Sequence, residues 1–160
     1  MESLVEIRLA STEDSEAISA VLQNAFATFQ FVYTPEAFAF TTPAAEVIRK
    51  RFDEKGAIWV AVKGKEIVGT VSVIPVNGRL YIRSMAVSPT TQGGGIGHKL
   101  LQTIDSYAFE NGFKKIFLYT TDFLAEAIRL YERNGFEKIR DCGPEDFFGT
   151  PGLEMEKKLN

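Results

Sequence analysis

At 160 residues, 45% hydrophobic and 12% aromatic, the chain is the size of one domain and has enough apolar material for a substantial core, so one domain spanning 1–160 is expected. Its 21 acidic and 18 basic residues leave a net charge of -3 with no long run of either sign, which argues against nucleic acid as a partner. A single cysteine, Cys142, excludes an internal disulfide, and with a single histidine, His98, no metal site is expected.

The first residues, Met1-Glu2-Ser3-Leu4-Val5-Glu6, carry neither a basic nor an apolar leader pattern, and no stretch reaches the length of a membrane span. A cytoplasmic location without a membrane partner is expected. Val5 to Ala10 alternates apolar and polar side chains, which predicts a strand. Ser11 and Thr12 then offer capping oxygens ahead of a helical stripe at Ile18, Val21, Leu22, Ala25, Phe26 and Phe29. An aromatic segment follows through Phe31, Tyr33, Phe38 and Phe40, and the period-two spacing of Phe29, Phe31 and Tyr33 predicts an extended piece. Thr42-Pro43 opens a second helix carrying Val47, Ile48 and Phe52, closed by Gly56.

Ala57 to Lys63 and Glu66 to Val76 are rich in β-branched residues and flank the turn Gly64-Lys65, a hairpin signal. Asn77-Gly78 marks a second hairpin, because both positions of a type I′ turn need positive φ. Its return strand is Arg79 to Ser88. Beyond Pro89 a glycine-rich loop leads into a helix with Leu100, Leu101, Ile104 and Ala108 on one face, ended by Asn111-Gly112. A strand at Ile116 to Thr121 comes next. The stripe Leu124, Ala127, Ile128, Tyr131 then predicts a helix stopped by Asn134-Gly135, Phe136 begins a strand, and the last strand is Leu153 to Leu159. Hairpins followed by a strand-helix-strand-helix unit make a three-layer α/β/α domain with a mixed, mostly antiparallel sheet.

Met85-Ala86-Val87-Ser88-Pro89 runs into Gln92-Gly93-Gly94-Gly95-Ile96-Gly97, so a strand feeds a glycine turn that feeds a helix N-terminus. The first amides of a helix lack internal acceptors and sit at the positive end of its dipole, and glycines let a phosphate approach them. This is an anion site; a plain βα turn seldom needs more than one or two glycines. Two common phosphate motifs fail on spacing. The dinucleotide fingerprint needs a small residue where Leu100 stands, and the nucleoside-triphosphate loop needs Ser or Thr where Glu66 follows Gly64-Lys65.

The loop resembles that of the GNAT superfamily of N-acetyltransferases, whose signature of Gln or Arg, two variable residues, Gly, one variable residue and Gly or Ala is matched by Gln92, Gly95 and Gly97. Ala127-Ile128-Arg129-Leu130-Tyr131-Glu132-Arg133-Asn134-Gly135-Phe136 is similar to the family's second recognisable segment. The resemblance implies acetyl-CoA as cosubstrate, with its pantetheine arm between two splayed parallel central strands, Leu80 to Val87 and Ile116 to Thr121. It further implies that Met85, Ala86 and Val87 border the arm, that the amides of Gln92, Gly93, Gly94, Gly95, Ile96, Gly97 and His98 hold the pyrophosphate, and that Ala127 and Tyr131 lie at the thiol end. Where many relatives have Asn, seven residues before the tyrosine, this chain has Leu124; Thr121 and Asp122 are the substitutes for a polar contact there.

Transfer to an amine needs a neutral nucleophile, a stabilised oxyanion and a proton for the thiolate. Tyr131 is the candidate acid, although on residue pattern alone it also completes the apolar stripe of its helix. No strand residue from Arg79 to Val87 is acidic, so the base is sought among Glu36, Asp122, Glu145 and Asp146. His98 and Cys142 could pair in an acyl-cysteine route, but an isolated cysteine is ordinarily inert packing. Arg79 and Arg83 lie on a partly solvated sheet face or contact an acidic substrate or phosphate. The resemblance places the aromatic segment from Phe26 to Phe40, with Phe29, Phe31 and Tyr33, among the elements that wall the acceptor site; the other reading is that these rings cover the end of the core. The expected partner is a small-molecule or peptide amine, with the chain a monomer or homodimer. A non-catalytic acyl-CoA-binding sensor or regulatory domain, and a binder of another phosphate ligand such as a nucleotide, are the alternatives.

Overall fold

The computed structural model describes residues 4–91 and 94–160. Seven strands form one sheet: β1 (Val5–Leu9), β2 (Ala57–Lys63), β3 (Glu66–Val76), β4 (Arg79–Val87), β5 (Lys115–Thr120), β6 (Glu137–Cys142) and β7 (Gly152–Lys158), in the order β1-β2-β3-β4-β5-β7-β6. Every neighbouring pair is antiparallel except β4 and β5. Among the described residues five α-helices accompany it: α1 (Ser15–Phe26), α2 (Pro35–Thr41), α3 (Ala45–Arg51), α4 (Ile96–Glu110) and α5 (Ala125–Arg133). The expected mixed, mostly antiparallel sheet with flanking helices is what the chain forms.

Central strands are buried on both faces because successive side chains enter different cores. Trp59 and Ala61 of β2 join Leu100, Leu101 and Ile104 of α4, whereas Ile58 and Val60 join Ile18, Val21 and Leu22 of α1 and Ile48 of α3. At the hairpin between β3 and β4, Asn77 has φ 50° and Gly78 φ 82°, as a type I′ turn requires.

The segment between α1 and α3 departs from expectation. Phe29 to Tyr33 is not extended: a 3-10 turn covers Ala27–Phe29, and the Phe29 carbonyl accepts from the amides of Val32 (2.9 Å) and Tyr33 (3.4 Å). Phe29 and Tyr33 instead both meet the Phe123 ring, at 5.7 and 4.9 Å, while Phe31 is exposed. α2 was not anticipated, although Thr34 caps it by accepting from the Ala37 amide at 3.2 Å and Pro35 fills its first turn. α3 ends at Arg51, well short of Gly56. Gly56 serves tertiary packing instead, since a Cβ there would run into the Val73 carbonyl oxygen.

Two irregularities in β4 create space. The parallel ladder with β5 holds only Leu80↔Ile116, Tyr81↔Phe117 and Ile82↔Leu118, after which β5 continues along β7. On the other edge, Val73 faces Ile82 and Ser72 faces Ser84, so Arg83 is the extra residue of a β-bulge. The bulge inverts the strand's alternation. Leu80 and Ile82 enter the α4 core before it, Met85 and Val87 pack there after it, and Ala86 turns to the α1 core.

Candidate active site

The N-terminus of α4 is built from glycine. Gly95 is the N-cap at φ 76°, ψ 13°, with no side-chain cap, so the first amides of α4 are left for another acceptor. Gly97 also answers to packing: a Cβ there would lie 2.7 Å from Leu130 Cδ2, and its absence lets α4 approach α5. From this point a cavity of about 920 Å³ runs past Thr91, Gly95, Ile96, Gly97 and His98, along Met85, Ala86 and Val87, to Ala127, Leu130 and Tyr131. Gln92 and Gly93 lie outside the described residues, and Gly94 is exposed and does not line the cavity.

A second cavity, about 340 Å³, fills the opening between β4 and β5 beyond Ile82 and Leu118. Tyr81 to Met85 form one wall and Leu118 to Thr121 the other, with Tyr33, Phe40, Phe147 and Phe148 across the mouth. These rings belong to one network. Tyr33 meets Phe123 edge-on at 4.9 Å and Phe147 at 6.4 Å, and Phe40 reaches Phe147 and Phe148 at 5.8 and 5.5 Å. The two cavities share Phe26, Met85, Leu124 and Tyr131.

Tyr131 therefore stands where the cavities meet. It is buried, edge-on to Phe136 at 5.8 Å, and burial, followed by the nearby Tyr33 phenol, pushes its own phenol up to about 12. It keeps its proton throughout the neutral range. Leu124, in the place of the family's Asn, lines both cavities and contributes no polar group. Thr121 lines the shorter cavity with Oγ1 buried; burial raises the Tyr33 phenol, and the nearby Thr121 hydroxyl opposes that rise.

Of the proposed carboxylates, Asp146 lines the shorter cavity, while Glu36, Asp122 and Glu145 line neither. Asp146 accepts from the Gly143 amide at 3.1 Å and has Arg140 Nη1 at 3.6 Å. Among the aromatic candidates, Tyr33 lines the shorter cavity and Phe29 the longer, whereas Phe31 is 98% exposed and lines neither. Cys142 and His98 are separated, one in each cavity, and burial raises the Cys142 thiol, which disfavours its thiolate. The two arginines part company as well. Arg79 lies 3.7 Å over the Phe117 ring and pairs with Glu154 and Glu156, each at 3.0 Å, while Arg83 lines the shorter cavity.

Sequence reasoning reached Phe40 through the aromatic segment it closes but missed Phe147 and Phe148. Phe147-Phe148 carried a signal, two adjacent large rings in a segment bounded by Gly143-Pro144 and Gly149-Thr150-Pro151, which no helix or strand period explains.

Residues 19–136 match the sequence profile of the Acetyltransferase (GNAT) family. The chain is 30% identical over 138 residues to an uncharacterised N-acetyltransferase of Escherichia coli K12, YjgM, covering 83% of this chain and 82% of that protein. It is 33% identical over 121 residues to N-acetyltransferase 8B of Rattus norvegicus, covering 71% of this chain but only about half of the rat protein's length (54%). In fold it is similar to the PaiA N-acetyltransferase of Thermoplasma acidophilum in complex with coenzyme A, with TM-score 0.78, 20% identity, and 98% and 99% of the two chains covered. A GNAT-family acetyltransferase of Staphylococcus aureus Mu50 gives TM-score 0.80 at 21% identity, over 98% of this chain and 100% of that one.

Proposed function

Since the chain belongs to the GNAT family of acetyltransferases, whose members use acetyl-CoA, we propose that its single domain transfers the acetyl group to a primary amine by direct attack in a ternary complex. The observation that carries this is the meeting of the two cavities at Tyr131. The longer has the chemistry for a pyrophosphate at one end, in the amides that open α4 behind Gly95, and apolar walls for an extended arm along Met85, Ala86 and Val87. The shorter suits an acceptor of amino-acid size. That the curated relatives are named N-acetyltransferases supports an amine.

Acetyl-CoA brings an activated thioester; this chain's residues do the rest. Gly95, Ile96, Gly97 and His98, with Gln92, Gly93 and Gly94 before them, would hold the pyrophosphate. Ala127 and Tyr131 would border the thiol end. The neutral amine attacks the carbonyl carbon, the carbon–sulfur bond breaks as the Tyr131 phenol gives its proton to the departing thiolate, and the proton shed by the attacking nitrogen passes through water to restore the phenol. A phenol at about 12 suits this because the burial that lifts it also lifts the thiol beside it, keeping the transfer near balance. Alkyl amines, at about 10.4, arrive mostly protonated; Asp146, on the acceptor wall, and water receive that proton.

The test is release of free thiol from acetyl-CoA over a panel of amines, with the acetylated product identified by mass. Tight acetyl-CoA binding without release in the presence of any amine would make the chain an acyl-CoA sensor and end this reading.

A further inference from the structure

The inner wall of the acceptor cavity is positively charged. Arg83, the bulge residue of β4, lines it; its Nη1 donates to Glu54 at 2.9 Å, but its Nε is buried with no hydrogen-bond partner. Behind it lies Arg51, only 8% exposed, whose Nη1 donates to the hydroxyl of Ser84, another lining residue, at 2.9 Å. None of the ion pairs among the described residues includes Arg51. Of the two guanidiniums only that of Arg83 thus has a carboxylate partner among the described residues, Glu54.

Such a surplus is costly away from water unless an anion answers it. Burial, with Arg83 adding to it, already drives the Arg51 guanidinium down to about 10. The other walls are different in kind. Tyr33, Phe40, Phe147 and Phe148 close the mouth with rings, and the volume of about 340 Å³ admits something of amino-acid size.

Resting on the acetyl-transfer reading above, we propose that the acceptor is a free α-amino acid, its carboxylate taken by the Arg83 guanidinium with Arg51 behind, its amine toward Tyr131, and an apolar or aromatic side chain among the rings. A peptide N-terminus offers the same amine without a carboxylate at that distance, so free amino acids are preferred to peptides.

The test uses the twenty common L-amino acids, each beside its methyl ester and its amide-linked dipeptide with glycine, with thiol release from acetyl-CoA as the readout. The best acids should exceed their esters in kcat/KM by about 10²-fold, the usual effect of leaving a buried charge unanswered. Arg83→Gln should bring that ratio close to one, and Arg83→Lys should leave it intermediate, because an ammonium keeps the charge but not the planar fork of donors. Should Arg83→Gln unfold on account of Glu54, the paired Glu54→Gln/Arg83→Gln variant removes both charges and gives the same comparison. Esters or dipeptides turned over as well as acids by the wild type would overturn the carboxylate subsite and leave acetyl transfer standing. Silence from every amine with acetyl-CoA still bound would overturn acetyl transfer, and this inference with it.

Discussion

Thr34 and Thr150, 116 residues apart, are joined by a hydrogen bond from the Thr34 amide to Thr150 Oγ1 at 3.0 Å. The Thr34 hydroxyl meanwhile donates to the Phe148 carbonyl at 2.7 Å and accepts from the Ala37 amide. One residue thus caps α2 and fastens the segment carrying Phe147 and Phe148 across the acceptor cavity. Phe148 is held there at φ 49°, a conformation uncommon for a large side chain.

Thr150→Val removes the acceptor while keeping the shape, and leaves the Thr34 amide unsatisfied. The expected cost is about 1–2 kcal/mol of stability, read as a lower Tm, with a raised KM for the amine and unchanged acetyl-CoA affinity. A matching loss of acetyl-CoA affinity would show that the segment also supports the longer cavity.

The two loop glycines should behave differently. At Gly95 the space is open but φ is 76°, so Gly95→Val strains the backbone by about 1–2 kcal/mol and weakens acetyl-CoA binding by distorting the first turn of α4. At Gly97 the obstacle is Leu130. Gly97→Ala should therefore be partly rescued by Leu130→Ala in a double-mutant cycle, whereas Gly95→Val should not. Additive effects of the Gly97 and Leu130 changes would mean that the helices do not meet there.

Tyr131→Phe keeps the ring against Phe136 and removes the proton. We expect kcat to fall about 10²-fold, within the range for general acids, with acetyl-CoA affinity little changed. Near-normal kcat under chemistry-limited conditions would leave water as the acid. The same phenol predicts an alkaline signature. The folded state holds the Tyr131 proton up to about 12, as it does that of Tyr81, against about 10 in the unfolded chain. The stability each contributes is complete below pH 10 and is lost as pH rises through 12. Tyr81→Phe should flatten that alkaline fall in Tm, and an unaltered slope would place the titration elsewhere.

Cys142→Ser should retain turnover, since the thiol is buried with its pKa raised and direct transfer needs no acyl-enzyme. Lost turnover at normal Tm, with an acetyl adduct trapped on the wild-type cysteine, would replace direct attack by a two-step route.

Residue order alone determined what adjacent residues encode. Asn77-Gly78, Asn111-Gly112 and Asn134-Gly135 end their elements as read, because positive φ is a local demand. The β2 and β3 boundaries, the α4 stripe and the Gln92 to Gly97 motif were legible for the same reason. Tertiary structure decided the rest. Arg79 to Arg83 alternates smoothly in sequence, and only the pairing of Val73 with Ile82 and Ser72 with Ser84 makes Arg83 the bulge and separates its role from that of Arg79. Gly56 looked like a helix stop, and the Val73 carbonyl gives it a packing reason instead; at Gly97 the side chain of Leu130 adds a packing reason that the motif alone did not carry. The shorter cavity draws its walls from α2, β4, β5 and the segment before β7. Periodicity is blind to such a site, because it records which face of an element is apolar and not which distant element will lie against it.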